Sequence, residues 1–116
     1  MNLGKHGEGL AKKYFESIGY ELVAENFRDQ RAEIDLIFKD ENKKLIIFVE
    51  VKTRRNRSFG EPEESVTPKK QAQMIKSAEG FLMNNNLYGD YEKRFDVAAI
   101  MIEDEKEKIN HIENAF

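Results

Sequence analysis

Apolar residues near the start of the chain recur at spacings of three, four and seven, which is the period of one helix face. They are Leu3, Leu10, Ala11, Tyr14, Phe15 and Ile18. The pattern predicts an amphipathic helix from Leu3 to Ile18, and Gly19 directly after it suits the turn that ends a helix. The next segment, Tyr20 to Asn26, is predicted to be a short strand or an extended arm.

Two segments further along are rich in Ile, Leu, Val and Phe and are separated by a polar stretch. Arg31 to Phe38 and Leu45 to Lys52 therefore predict the two strands of a hairpin, with the turn at Lys39 to Lys44. The second segment is apolar on both faces, so we expect it to be the central strand of a sheet that is covered on each side.

The second half of the chain predicts a loop, a helix and two strands. The loop is placed from Thr53 to Val66, because this segment is polar and contains glycine and proline. Thr67 is a natural N-cap and Pro68 suits the first helical position, so a second helix is expected to run to about Met83. The remaining predicted elements are a strand at Arg94 to Ile102, a charged turn at Glu103 to Lys108 and an edge strand at Ile109 to Ile112.

The order of these elements predicts an α/β protein with a central mixed β-sheet flanked by helices. At 116 residues the chain fits a single domain, residues 1–116. No apolar run approaches the roughly 20 residues that span a bilayer, so no membrane partner is expected. The absence of cysteine excludes disulfides and thiolate-bound metal sites. The N-terminus lacks the features of a secretory signal, so we expect a cytoplasmic location.

The charge balance is uneven along the chain. The net charge is -3, yet residues 51–94 contain 9 basic and 6 acidic side chains. A basic lip that contacts a nucleic-acid backbone could be formed by Lys52, Arg54, Arg55 and Arg57. Phosphate contacts near the positive end of the second helix could come from Lys69, Lys70 and Lys76. A plain solvated loop and a solvated helix face remain open for both groups.

Charged residues at the end of the predicted central strand are the candidates for chemistry. Side chains at i and i+2 of a strand share a face, so Glu50 and Lys52 point the same way after an apolar segment. Asp35 on the preceding strand would lie beside Glu50 if the hairpin turn were centred near Asn42 and Lys43. The sequence alone leaves this register open.

Two adjacent carboxylates repel each other, and a hard divalent cation is a natural way to neutralise them. Mg²⁺, or Mn²⁺ in its place, prefers oxygen ligands and keeps bound water, so the expected ligands are Asp35, Glu50 and the backbone carbonyl of Val51. Such an ion would activate water for attack on a phosphodiester, and Lys52 would stabilise the charge that develops on the phosphate. The arrangement therefore predicts a metal-dependent phosphodiesterase site.

Glu33 shares a strand face with Asp35, and two interpretations of it stay open. It could support the metal ligands or act as a further metal group. It could equally form a salt bridge with Arg31 or Arg54. The two histidines, at positions 6 and 111, have no metal-ligand spacing and are expected to be structural or exposed.

Several short motifs occur in the order seen in the bacterial YraN family of predicted endonucleases, which the chain resembles over nearly its whole length. They are Gly7-Glu8-x-x-Ala11, Gly19-Tyr20, Asn26-Phe27-Arg28, Glu33-Ile34-Asp35-Leu36-Ile37, Phe48-Val49-Glu50-Val51-Lys52-Thr53-Arg54, Phe59-Gly60 and Arg94-Phe95-Asp96-Val97. That family is similar to archaeal Holliday-junction resolvases. One departure is Ala32, where the family usually has glycine, and it removes no proposed ligand.

The resemblance implies a restriction-endonuclease-like fold with Asp35, Glu50 and Lys52 in the catalytic core. It also implies that Glu8 is the helix carboxylate aimed at the metal, that the substrate is DNA with a branched or structured site, and that the protein acts as a homodimer. Two other functions remain open: a nucleic-acid-binding module with the nuclease fold but little or no activity, and a protein-interaction domain whose carboxylates bind no metal.

Overall fold

The computed structural model of the chain describes residues 2–29, 32–55, 66–87 and 89–116. In this part of the chain the elements follow the order that the apolar pattern predicts: one helix, three strands, a second helix and two strands. Their bounds, in chain order, are α1 Leu3–Ser17, β1 Glu21–Asp29, β2 Ala32–Asp40, β3 Leu45–Arg54, α2 Pro68–Asn84, β4 Glu92–Glu103 and β5 Lys106–Ile112.

Both helices begin at a capping residue, and that of α2 is the predicted Thr67. The side chain of Asn2 accepts a hydrogen bond from the Lys5 amide at the start of α1, and Thr67 accepts one from the Lys70 amide at the start of α2. Helix α1 ends at Ser17, one residue before the predicted end, and Gly19 follows in the left-handed region with φ of +99°.

The five strands form one mixed sheet in the order β1-β2-β3-β4-β5. Strands β3 and β4 are parallel, and the other neighbouring strands are antiparallel. The parallel pair requires a long crossover, which α2 supplies. Strand β3 lies in the middle of the sheet, so the prediction of a central strand from its continuous apolar run is confirmed.

Each helix covers one face of the sheet. Ala11 and Phe15 of α1 pack on residues of the first face: Leu36, Phe38, Ile47, Val49, Ala98 and Ile100. Ala78, Phe81 and Leu82 of α2 pack on residues of the second face: Ile34, Ile37, Ile46, Phe48 and Phe95. Strand β3 contributes buried side chains to both clusters, which is why its sequence is apolar without alternation.

Each predicted strand differs from the observed one at one or both ends, by at most three residues. Strand β1 continues to Asp29, and β3 continues to Arg54, where the sequence pattern indicated a loop from Thr53. The loop prediction otherwise falls mainly on residues 56–65, outside the described residues. The charged turn before β5 contains only Asp104 and Glu105. Both have positive φ, as a two-residue hairpin turn requires, so the charged residues that follow belong to the exposed edge strand.

The arrangement is an α/β fold with a five-stranded mixed sheet flanked by two helices in the described residues, consistent with the expected restriction-endonuclease-like fold. No helix in the ranges given above is both long and apolar enough to cross a membrane.

Candidate active site

The candidate site lies where strands β2 and β3 separate. Their ladder runs from Asp40 opposite Leu45 to Leu36 opposite Val49, a register centred between positions 42 and 43. The next opposed positions are 35 and 50, where the backbone of β3 no longer bonds to that of β2. Instead, the Val51 amide donates a hydrogen bond of 2.8 Å to Oδ2 of Asp35. The observed register of β2 and β3 is therefore the one that brings Asp35 beside Glu50.

Glu50 is buried although it is charged. Only 3% of the residue is exposed, and it lies on the α2 side of β3, the side to which Ile46 and Phe48 contribute. The Nζ atom of Lys70 lies 2.5 Å from Glu50 Oε2, and that of Lys52 lies 4.0 Å away. Oε2 is almost inaccessible to solvent, so its negative charge depends on a nearby cation, here the ammonium group of Lys70. A metal ion could take that place.

The two carboxyl groups hold opposite protonation states. Burial, followed by the hydrogen bond and the negative charge of Glu50, raises the pKa of Asp35 to about 8. Burial also opposes ionisation of Glu50, but its hydrogen bond with Asp35 and its contact with Lys70 outweigh burial and lower its pKa. At neutral pH the pair therefore retains one proton, chiefly on Asp35.

Two lysines from different elements face this pair. Burial, together with the nearby positive charge of Lys70, lowers the pKa of Lys52. Burial acts in the same direction on Lys70, but the contact with Glu50 prevails and raises its pKa. Lys70 reaches Glu50 because the crossover places the start of α2 over the end of β3, with Thr67 and Pro68 fixing the first turn.

A cavity of about 350 Å³ opens beside the pair. Its lining residues are Arg28, Ala32, Glu33, Asp35, Glu50, Thr67, Lys69, Lys70 and Gln73. Glu33 forms a salt bridge of 3.3 Å with Arg28, which lies directly opposite it on β1. Arg54 instead donates to the Thr53 carbonyl, so the alternative of a salt bridge between Glu33 and Arg54 is not observed. Arg31 lies outside the described residues. The cavity thus joins acidic and basic walls.

Glu8 approaches the site from α1. It is half-buried, accepts a hydrogen bond of 3.3 Å from the Asn26 side chain, and its charge contributes to the raised pKa of Asp35. Gly7 allows this approach, since a Cβ atom there would lie 1.9 Å from Oγ1 of Thr53. Glu8 is near enough to act on Asp35 electrostatically, but it does not line the cavity.

Two residues of the predicted basic lip, Arg54 and Arg55, lie in different surroundings. Arg54 is half-buried near Lys52, whereas exposed Arg55 lines a second cavity of about 290 Å³ beside His6 and Glu107. Arg57 lies outside the described residues. By contrast, Lys69 and Lys70 both line the cavity that contains the carboxylates.

The donor set fits a hard divalent cation that keeps bound water. No group of three or more His, Asp or Glu side chains in the described parts of the chain is placed to hold a metal. Asp35 and Glu50 could supply two oxygen ligands. The Val51 amide faces Asp35, and because the N–H and C=O of a strand residue point to the same side, its carbonyl faces that way too. Two carboxylates and one carbonyl leave positions for water and phosphate, as Mg²⁺ requires.

A second buried carboxylate, Asp96, was not among the predicted site residues. Asp96 is fully buried on the α1 side of β4 and accepts hydrogen bonds from Arg94, His111 and the Asn114 amide, at 2.7 to 3.0 Å. His111 Nδ1 is bonded in turn to the Tyr14 hydroxyl at 3.1 Å. The sequence signal that could have indicated Asp96 is an acidic residue within an apolar strand, as for Glu50. Both oxygens of Asp96 accept hydrogen bonds, so this network connects β5 and the last residues to β4.

Comparisons with known proteins agree with the motifs. The model of "Uncharacterised protein family UPF0102" matches residues 7–100. A UPF0102 protein of Syntrophomonas wolfei is 47% identical over 98% of this chain and 96% of the relative. A UPF0102 protein of Pelobacter propionicus is 43% identical over 99% of this chain and 82% of the relative. The resemblance to the YraN family is thereby confirmed, and the chain belongs to the UPF0102 family.

Proposed function

We propose that this protein is a Mg²⁺- or Mn²⁺-dependent endonuclease that hydrolyses phosphodiester bonds of DNA. The observation that carries the proposal is the pair of opposed carboxyls, Asp35 and Glu50. They lie side by side where β2 and β3 separate, Glu50 is buried, and the opposite shifts of their pKa values leave one proton between them. Two lysines beside the pair add the positive charge that a phosphate needs.

The residues divide the reaction between them. Asp35, Glu50 and the Val51 carbonyl would hold the cation, which when bound supplies Lewis acidity and lowers the pKa of a bound water molecule. The Nζ atom of Lys52 lies 4.0 Å from Glu50 Oε2. Lys52 would stabilise the negative charge on the phosphoryl oxygens as the bond to the leaving oxygen breaks. Its lowered pKa suits it to transfer a proton to that oxygen.

The cavity gives the phosphate a place beside the carboxylates. Lys69 and Lys70 lie in the first turn of α2, where the helix dipole is positive and amide hydrogens are free of helical partners. Arg28, which forms a salt bridge with Glu33, also lines the cavity. A DNA backbone lying along this cavity would bring one phosphodiester to Glu50.

The test combines metal binding with cleavage. Calorimetric titration with Mg²⁺ and Mn²⁺ is expected to detect binding to the wild type but not to Glu50→Gln. Cleavage of linear and four-way-junction DNA is expected to fall more than about a hundredfold in Glu50→Gln and Asp35→Asn. Glu33→Gln is the matched control, because it removes a carboxylate from the same cavity without touching the pair, and it should still cleave. Cleavage at the wild-type rate by both variants would refute the proposal.

A nucleic-acid-binding module without catalysis is the second candidate. It is favoured by the limited ligand set, because the described residues hold no third side chain at the metal position. In that case DNA would bind with strong salt dependence but remain uncut in either metal. The junction substrate and a homodimer are suggested by the resemblance alone, and sedimentation of the protein with and without junction DNA tests the latter.

A further inference from the structure

The first turn of α2 places an ammonium group on a proposed metal ligand. The Nζ atom of Lys70 lies 2.5 Å from Oε2 of Glu50, closer than the 4.0 Å of Lys52. The Lys70 side chain is 36% exposed, whereas that of Glu50 is 4% exposed. Lys70 thus covers the buried carboxylate from the solvent side.

The contact is a short ion pair between the ammonium group and a carboxylate oxygen that is almost inaccessible to solvent. An Mg²⁺ ion would bind a carboxylate oxygen at about 2.0 to 2.1 Å, which is the space that Nζ approaches here. The ammonium and the metal ion cannot occupy it together, because two positive charges at that separation repel strongly.

The cavity beside Glu50 offers the Lys70 ammonium group a second position. The Lys70 amide is fixed by the Thr67 side chain at 3.2 Å, so the backbone of the turn stays in place while the long side chain can rotate. The cavity of about 350 Å³ next to it is also lined by Lys69 and is where a substrate phosphate would lie. A phosphate would therefore attract the ammonium away from Glu50.

We propose that Lys70 competes with the divalent cation for Glu50 and moves to a backbone phosphate of the nucleic acid when the cation binds. Metal and nucleic acid would then strengthen each other's binding. The inference rests on the proposed function, since it assumes that Glu50 is a metal ligand and that a phosphate enters the cavity.

The coupling must be reciprocal. DNA that draws Lys70 into the cavity frees Oε2 and raises the affinity for the metal. The metal, by displacing Lys70, frees an ammonium group and raises the affinity for DNA by the same factor. Lys70 is therefore a positioning residue that makes retention of the cation depend on the substrate.

Two variants that each remove one lysine charge distinguish direct competition for Glu50 from a general electrostatic effect on cation binding. Lys70→Gln removes the contact with Glu50, and Lys69→Gln removes a lysine that lines the same cavity without contacting Glu50. Ca²⁺ is titrated calorimetrically into the wild type and each variant, without DNA and with a short DNA duplex at a concentration that saturates each protein. Circular dichroism establishes that all three proteins are folded.

Without DNA, Lys70→Gln is expected to bind Ca²⁺ about tenfold more tightly than the wild type, and Lys69→Gln less than about threefold more tightly. With DNA, the affinity of the wild type for Ca²⁺ should rise about tenfold, and this gain should largely disappear in Lys70→Gln but persist in Lys69→Gln.

Equal effects of the two variants on Ca²⁺ affinity would overturn the inference and leave the endonuclease proposal standing. So would a DNA-dependent gain that Lys70→Gln retains in full. If Lys70→Gln behaves as expected but no DNA is cut in Mg²⁺, the competition stands and the endonuclease proposal fails. If neither the wild type nor Lys70→Gln binds a divalent cation, both fail together.

Discussion

Replacing Asp35 by asparagine should stabilise the protein, by an amount that grows with pH. The pKa of Asp35 is about 8 in the folded protein against an ordinary value of 3.8. Asparagine resembles the protonated carboxyl, because its oxygen can accept from the Val51 amide and its amide can donate to Glu50. The variant therefore keeps the contacts with Val51 and Glu50, but folding no longer requires a proton to be bound at position 35.

The sign follows from proton counting. Between about pH 4 and pH 8 the folded wild type binds one proton more than the unfolded chain, so its free energy of unfolding falls as pH rises. The limit is about 1.4 kcal/mol per pH unit for one proton, and partial solvation of the carboxyl reduces it to about 1 kcal/mol per unit. The advantage of Asp35→Asn should thus grow by about 3 kcal/mol between pH 5 and pH 8.

Urea unfolding of both proteins at half-unit pH intervals, in the presence of a chelator, measures this difference. Glu33→Gln is the control, because it removes a carboxylate from the same cavity wall but not from contact with Glu50. Its stability relative to the wild type should stay nearly constant over the same range. A flat difference for Asp35→Asn as well would refute the shared proton, and with it the argument that the site is built to receive a cation.

Two further predictions concern the packing around the site. Gly7→Ala should lower the free energy of unfolding by about 1 to 3 kcal/mol, because its Cβ would collide with Thr53, whereas Gly9→Ala, which meets nothing within 4 Å, should be neutral or stabilising. Equal thermal unfolding of the two variants would contradict this. Asp96→Asn should cost about 3 to 5 kcal/mol in urea unfolding, because it leaves the Arg94 guanidinium beside a neutral group, and a loss below about 1 kcal/mol would count against a structural role.

The sequence predicted the elements well where one pattern decided them. The continuous apolar run of β3 predicted a central strand, and the cap at Thr67 predicted the start of α2. The ends of β1 and β5 were not predictable in the same way, because edge strands carry polar residues that resemble loops. Their length is set by pairing with a neighbouring strand, which a local pattern does not contain.

The candidate site was predictable in part. The spacing of Asp35 and Glu50 was compatible with one hairpin register, and that register is observed. The position of Lys70 on Glu50 depends on how the crossover places α2 over the sheet, so the sequence indicated a phosphate contact but not the carboxylate contact. The Arg28 partner of Glu33 similarly depends on the pairing of β1 with β2.

The parallel pairing of β3 with β4 also has a consequence for the order of folding. Only four residues separate β2 from β3, whereas 37 residues separate β3 from β4. Closing the longer connection costs about 2 kcal/mol more in chain entropy, so the hairpin contacts are favoured to form first. The hairpin brings Asp35 and Glu50 together, and Lys70 can join them only once the crossover closes. The nascent chain would therefore expose its two acidic groups to solution ions before its own lysine arrives.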